Sequence, residues 1–217
     1  MSDLMQIYHK LFTHYGPRDW WPAESPFEVA VGAILTQNTN WSNVEKAIVN
    51  LKAAAVLSSP AICALERGRL EELIRPSGFF RQKAERLQLF TNHLRDHYAH
   101  DLQGLLQRSL NTARAELLAL KGVGPETADS ILLYAGERPS FVVDAYTGRL
   151  FGRLGLLSGS ENYMQIRALF MTGLPTEVPL YNEYHALIVA HCKEFCRKKP
   201  RCTGCPLTAI CPYNLHQ

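Results

Sequence analysis

The chain has 217 residues, 47% of them hydrophobic and 20% charged, with a formal net charge of +3. That length holds one domain or two small ones and buries roughly 70% of the surface of the unfolded chain, enough for a real core. No apolar run approaches the ~18 residues of a membrane span, no internal repeat or low-complexity tract appears, and so small a positive balance is weak support for a nucleic-acid partner.

Met1, Ser2 and Asp3 lead into an amphipathic segment rather than a signal peptide, so a reducing cytoplasm is the expected compartment. Leu4, Ile7, Tyr8 and Leu11 share one helical face, as do Val44, Ala47, Ile48 and Leu51. Ser25-Pro26 and Ser59-Pro60 punctuate helix starts. Further amphipathic stretches predict helices over about 66–75, 81–97, 113–120, 126–135, 144–154, 160–172 and 181–194. Ser140-Phe141-Val142-Val143 is the only candidate strand and reads better as an extended connector. The expected class is all-α.

Between the helices at 113–120 and 126–135 runs Leu120-Lys121-Gly122-Val123-Gly124-Pro125-Glu126. Gly122 and Gly124 predict a sharp turn with positive φ that brings bare backbone amides to the surface. Those amides would sit near a helix N-terminus, where orphan N–H groups and the macrodipole favour a phosphate. An ordinary αα-corner uses glycines in the same way. Shortly afterwards Val142-Val143-Asp144 places a carboxylate ahead of the next helix, where it serves as an N-cap, a chemical group, or both.

Near the C-terminus, Cys196, Cys202, Cys205 and Cys211 follow the spacing C-x5-C-x2-C-x5-C. Four thiolates in so short a span, in a chain expected to stay reduced, point to zinc or an iron–sulfur cluster rather than to disulfides. Spacing alone leaves the two open. Lys193, Arg197, Lys198, Lys199 and Arg201 surround the first cysteines, a patch that attracts phosphates regardless of base sequence. Cys63 is expected as a small buried hydrophobe and Cys192 as a less favoured alternate ligand.

Hairpin, aspartate and cysteine loop, in this order and at these separations, resemble the endonuclease III superfamily of helix-hairpin-helix DNA glycosylases over nearly the whole chain. Leu35-Thr36-Gln37-Asn38-Thr39 is similar to the segment whose glutamine enters the DNA in that family, and Gly78-Phe79-Phe80-Arg81-Gln82-Lys83-Ala84 to its second intercalating loop. The resemblance implies a two-lobed all-α fold with a central cleft, one lobe spanning 24–136 and the other 1–23 plus 137–217, ending in a 4Fe–4S loop. It implies Gln37 and Phe79 as wedges, and Lys121, Gly122, Val123, Gly124, Lys198 and Lys199 at the DNA. It also makes Asp144 the essential carboxylate, and a 4Fe–4S cluster a likelier occupant of the four cysteines than zinc.

The same resemblance makes Glu126 the discriminating residue. Members that cut the strand carry a lysine at this place to form a Schiff base, which a carboxylate cannot do. The expectation is therefore a monofunctional enzyme that leaves an abasic site. Trp20-Trp21-Pro22, followed by Pro26-Phe27-Glu28, is similar to the branch containing bacterial 3-methyladenine DNA glycosylases. That likeness implies a base pocket with Trp20, Trp21, Glu28 and Glu126, where an indole stacks on a cationic alkylated purine. The expected partner is double-stranded DNA carrying a damaged base, bound by a cytoplasmic, nucleoid-associated monomer with no membrane contact. Three alternatives remain: a strand-cutting enzyme for oxidised pyrimidines, a mismatch glycosylase, and a damage-binding protein that releases no base.

Overall fold

The computed structural model describes residues 3–18, 21 and 23–213. Among them there is no strand, and regular structure is helical throughout. The chain divides into two compact units, Ala23–Arg138 and Met1–Pro22 with Pro139–Gln217. In chain order, α1 (Asp3–Tyr15) belongs to the discontinuous unit. The helices α2 (Pro26–Leu35), α3 (Trp41–Ala53), α4 (Ser59–Ala64), α5 (Arg67–Ile74), α6 (Phe80–Tyr98), α7 (Leu102–Leu106), α8 (Leu110–Ala119) and α9 (Pro125–Ser130) build the other.

In that continuous unit α2 is buried from Glu28 to Leu35, as its unbroken run of small and branched apolar residues requires. Pro26 opens it and the Ser25 hydroxyl accepts the Glu28 N–H at 3.2 Å, a combination that satisfies an otherwise orphaned donor. Around α2 pack α3, α6, α9 and a π-type turn, Ile131–Ala135, that prolongs α9. The predicted helix at 126–135 is thus an α-turn pair continued by a wider coil. At α4 the cap is Ser58, one residue before the predicted start, while Ser59 is buried and its hydroxyl bonds His100 Nδ1 at 2.9 Å. The sequence pattern missed α7, which is only five residues long and is held by three buried leucines and an Asp101 cap.

α8 and α9 are locked by an internal ion pair. Arg114 Nε and Nη2 donate to the two carboxylate oxygens of Asp129 at 2.9 and 3.0 Å, with the Asp129 side chain fully buried. This bidentate fork fixes how the two legs of the hairpin meet.

The discontinuous unit adds α10 (Ala145–Arg153), α11 (Tyr163–Gly173) and α12 (Val178–Glu194) to α1. Its core is aromatic. Phe141 stacks on Phe170 with centroids 4.1 Å apart, Phe151 meets Phe170 edge-on at 4.7 Å, and the buried Tyr184 hydroxyl donates to Leu4 O at 2.7 Å. Residues 140–143 form an extended connector whose Phe141, Val142 and Val143 are buried, and it delivers Asp144 to the start of α10.

Candidate active site and nucleic-acid interface

The hairpin between α8 and α9 is a tight turn closed by the Val123 N–H donating to Leu120 O at 3.0 Å. Gly122 has φ +86°, and a Cβ there would fall 2.3 Å from Arg86 Nε, so any other residue would strain the backbone and have to displace the Arg86 side chain. Gly124 departs from expectation: its φ is −88°, an ordinary extended value, and it caps α9 with its backbone alone. Open space lies where its Cβ would be, which leaves that side of the chain bare. Val123 also differs from a DNA-facing residue in its side chain, which is buried and anchors the turn. Lys121 is exposed and pairs with Glu85 on α6 at 2.7 Å.

The two wedge candidates lie at helix ends. Gln37 follows α2, and its amide is held by the hairpin: Nε2 donates to Gly122 O at 3.0 Å and Thr127 Oγ1 at 2.8 Å, while Arg86 donates to Oε1. Phe79 stands 62% exposed in a left-handed conformation, φ +45°, directly after Gly78 at φ +68°. Phe79 thus holds a large apolar side chain out to solvent from a strained turn. Phe80 is half-buried rather than sunk in the core, with the Arg75 guanidinium 4.7 Å over its ring.

Asp144 is both an N-cap and a poised carboxylate. Its Oδ1 accepts the Thr147 N–H at 2.8 Å and the Thr147 hydroxyl at 2.9 Å, completing a capping box at α10. Oδ2 lies 3.5 Å from Nε2 of the buried His185 on α12. Burial by itself would raise the pKa of this carboxyl, but the His185 imidazole and the Thr147 donors outweigh it and hold it below the usual aspartate value. The group is therefore ionised at neutral pH in a largely enclosed setting.

α10 joins this carboxylate to the cysteine loop. From its later turns Arg149 Nε donates to Cys196 O at 2.8 Å, and Arg153 donates to Cys196 Sγ at 3.2 Å, Arg197 O at 2.7 Å and Lys198 O at 3.0 Å. Cys196, Cys202, Cys205 and Cys211 all line one recess, with apolar walls from Leu150, Leu154, Phe195 and Leu207 and with Arg153, His191 and Arg201 also at its rim. The Cys196 thiol is pulled down, first by its hydrogen bond with Cys192 and then by Arg153, while Cys192 itself is pushed up. Four soft donors around one apolar recess, one of them with thiolate character, fit a sulfur-ligated cluster. Among the described residues no three His, Cys, Asp or Glu side chains are grouped to hold a single metal ion.

Residues 31–176 match the family model of the HhH-GPD superfamily of base excision DNA repair proteins. The chain belongs to this superfamily. It is 49% identical to a Methanocaldococcus jannaschii protein named, provisionally, as a DNA repair glycosylase, over 96% of this chain and 95% of that one. It is 31% identical to endonuclease III of Thermotoga maritima, over 87% of this chain and 83% of the relative. Among solved structures, the H. pylori 3-methyladenine DNA glycosylase bound to 1,N6-ethenoadenine superposes with a TM-score of 0.76 at 29% identity, covering 88% of this chain and 98% of that one. An endonuclease III–DNA complex shares the fold at a TM-score of 0.85 and 23% identity, over 100% and 98% of the two chains.

In this DNA repair glycosylase the remaining expected site residues fall as follows. Trp20 lies outside the described residues, and Trp21 is half-buried with φ +73°, a conformation bulky residues seldom adopt. Glu28 is buried, and its Oε2 is occupied by Lys52 at 3.0 Å and the Glu24 N–H at 3.1 Å, a local anchor for the start of α2. Glu126 is exposed in the first turn of α9. Lys198 and Lys199 are exposed on the cysteine loop, whose backbone Arg153 holds. Cys63 is half-buried and donates to Asn92 Oδ1 at 3.1 Å, so it is a polar contact as much as a hydrophobe. Sequence reasoning missed His185 as the partner of Asp144, and Lys83 and Arg86 as the residues behind the wedges.

Proposed function

We propose that this glycosylase is monofunctional, hydrolysing the bond between deoxyribose and a flipped alkylated purine such as 3-methyladenine, and leaving an abasic site in an uncut strand. The observation that carries this reading is an anchored, ionised Asp144 in a chain that has Glu126 where strand-cutting members carry their Schiff-base lysine. The H. pylori relative, a 3-methyladenine DNA glycosylase, supports the choice of lesion.

The chemistry follows from the carboxylate. As the C1′–N bond lengthens, positive charge develops on C1′ and the ring oxygen, and the fixed negative charge of Asp144 stabilises it without reorganising. The same carboxylate accepts a proton from the water that attacks C1′. The bonding pair leaves with the base. An N3-methylated adenine departs neutral because it carries the positive charge beforehand, so no strong general acid is needed. Trp21 offers an indole for stacking on such a cation, a contact worth ~1–2 kcal/mol when desolvated.

Double-stranded DNA is engaged through Gln37 and Phe79 as wedges, the hairpin from Lys121 to Gly124 as a phosphate cradle, and Lys198 and Lys199 as phosphate contacts. Cys196, Cys202, Cys205 and Cys211 would hold a 4Fe–4S cluster, which, when bound, supplies a cross-link that shapes the basic loop. Broad visible absorbance of the purified protein checks that assignment; a colourless protein with stoichiometric zinc refutes it.

The deciding experiment treats methylated DNA with the protein, separates released bases by chromatography and follows strand integrity in parallel. Free 3-methyladenine from strands that break only in alkali is the expected result. The 31% identity to T. maritima endonuclease III favours one second reading, a strand-cutting enzyme for oxidised pyrimidines; no base released from methylated DNA, with oxidised DNA cut without alkali, supports it instead. Tight binding to damaged DNA with no base released leaves a recognition protein in which Asp144 only caps.

A further inference from the structure

Lys83 has no exposed surface, although it sits early in α6 beside an exposed loop. Its ammonium donates to Leu35 O at 2.7 Å and to Ser77 O at 2.6 Å. Both partners are backbone carbonyls, and among the described residues no carboxylate pairs with it. Leu35 is the last residue of α2, two positions before Gln37. Ser77 closes the 3-10 turn Arg75–Ser77, two positions before Phe79, and is itself buried, its hydroxyl donating to Ile74 O at 2.7 Å. One side chain therefore bridges the two segments from which the wedges spring.

The bridge is costly. Burial, with Arg86 nearby, pushes the pKa of Lys83 down to about 8. A lysine is a poor choice for filling a core, and packing alone would be met by an apolar side chain. What an ammonium adds is several directional donors on one atom. Here they converge on two chain ends that no backbone ladder connects. Arg86, one turn along the same helix face, extends the arrangement by donating to Gln37 Oε1 and packing on Gly122.

We infer that Lys83 is a positioning residue for base extrusion: by bridging the carbonyls that precede Gln37 and Phe79, it sets the separation of the two wedges that enter the duplex. This rests on the reading of those residues as wedges. A residue that only supports the fold would affect every substrate alike. A residue that sets the wedges matters only where a stacked, paired nucleotide has to be forced out.

The test compares wild type, Phe79→Ala, Gln37→Ala, Lys83→Met and the Phe79→Ala/Lys83→Met double variant. Single-turnover release of 3-methyladenine is measured from a paired duplex and from an unpaired loop, with 2-aminopurine fluorescence beside the lesion reporting extrusion. Lys83→Met is expected to slow release from the paired duplex about tenfold, equivalent to ~1.4 kcal/mol, and to change release from the loop by less than about twofold. Phe79→Ala is expected to cost much less in the Lys83→Met background than in wild type, because the wedge is no longer aimed. Equal loss on both substrates, or full additivity with Phe79→Ala, overturns the proposal. If Phe79→Ala and Gln37→Ala slow extrusion and Lys83→Met does not, the proposal alone falls; if neither wedge variant slows extrusion, the wedge reading falls and takes the proposal with it. Should Lys83→Met not fold, Lys83→Arg keeps two donors in a bulkier head. An intermediate loss confined to the paired duplex is then expected, and equal loss on both substrates refutes it.

Discussion

Replacing Asp144 by asparagine separates the cap from the proposed catalytic charge, because Oδ1 makes the cap while Oδ2 faces His185. Oδ1 caps α10 through the Thr147 N–H and hydroxyl. An asparagine keeps that oxygen, and Asn and Asp are near-equal N-caps, so the fold should lose no more than ~0.5 kcal/mol. The charge is another matter. Removing one preorganised electrostatic group from a reacting centre costs ~2.7–4 kcal/mol, which is ~10²–10³-fold in rate. Asp144→Ala loses the cap as well, ~1 kcal/mol, and in a chain of this size that moves the melting temperature by ~2–4 °C.

Single-turnover base release and thermal unfolding of both variants therefore make a two-by-two comparison. Both should be slow, and only the alanine variant should melt early. An asparagine variant that keeps the wild-type rate within about threefold would remove the carboxylate from the mechanism. One that melts as early as the alanine variant would show that the capping geometry described here is not what α10 depends on.

His185→Gln removes the contact that draws the Asp144 pKa down, so the acid limb of the pH–rate profile should move to higher pH; an unmoved limb refutes the pairing. The sign for stability follows from the same lowered value: Asp144 contributes stability above its unfolded pKa, about 4, and loses it as pH falls through the still lower folded value. Glu126→Lys should introduce strand cutting through a Schiff base that borohydride traps; absence of the trapped species means that the position, and not just the residue, is unsuited to lyase chemistry. Arg114→Met removes the bidentate partner of the buried Asp129 carboxylate and should cost ~3–5 kcal/mol, read as a lower urea midpoint with hairpin-dependent DNA binding weakened in step; a loss under ~1 kcal/mol would show that other donors carry the carboxylate.

The helices were legible because most carry one clean apolar face. Val44, Ala47, Ile48 and Leu51, read as a stripe, are all buried. Asp144 was legible as a cap for a local reason, since the bond spans only three residues. Illegible features depend on contacts far apart in sequence. Gln37 reads as a wedge from its motif, yet its amide is tied to Gly122 and Thr127, some ninety residues on in sequence. Glu28 looks available, but Lys52 on the next helix holds it. Val123 sits in the motif as if facing DNA, whereas the turn needs its side chain inside. Lys83 left a trace that went unread: it occupies the apolar register of α6, in line with Leu87, Phe90 and Leu94, all buried. A lysine on that stripe is either a mistake of periodicity or an interior cation with a task.

The two units solve the same physical problem in parallel. A repair glycosylase has to present strained or charged groups to DNA, and such groups do not hold themselves in place. In one unit the groups proposed to meet DNA are Phe79, Lys121 and Gln37, and a single helix, α6, touches all three segments: Lys83 fixes the carbonyls at 35 and 77, Arg86 reaches Gln37 and fills the space beside Gly122, and Glu85 meets Lys121. In the other unit the groups proposed to act on DNA are the Asp144 carboxylate and the basic cysteine loop, and again one helix serves both, with Asp144 capping α10 and Arg149 and Arg153 gripping Cys196, Arg197 and Lys198. In both units the central cations, Lys83 in one and Arg149 and Arg153 in the other, donate to backbone carbonyls, which hold the path of the chain whatever side chains it carries. The proposed contact residues can then vary with the lesion while the braces stay, so a change of specificity should be obtainable at the exposed Phe79 without loss of fold, and not at Lys83 or Arg153.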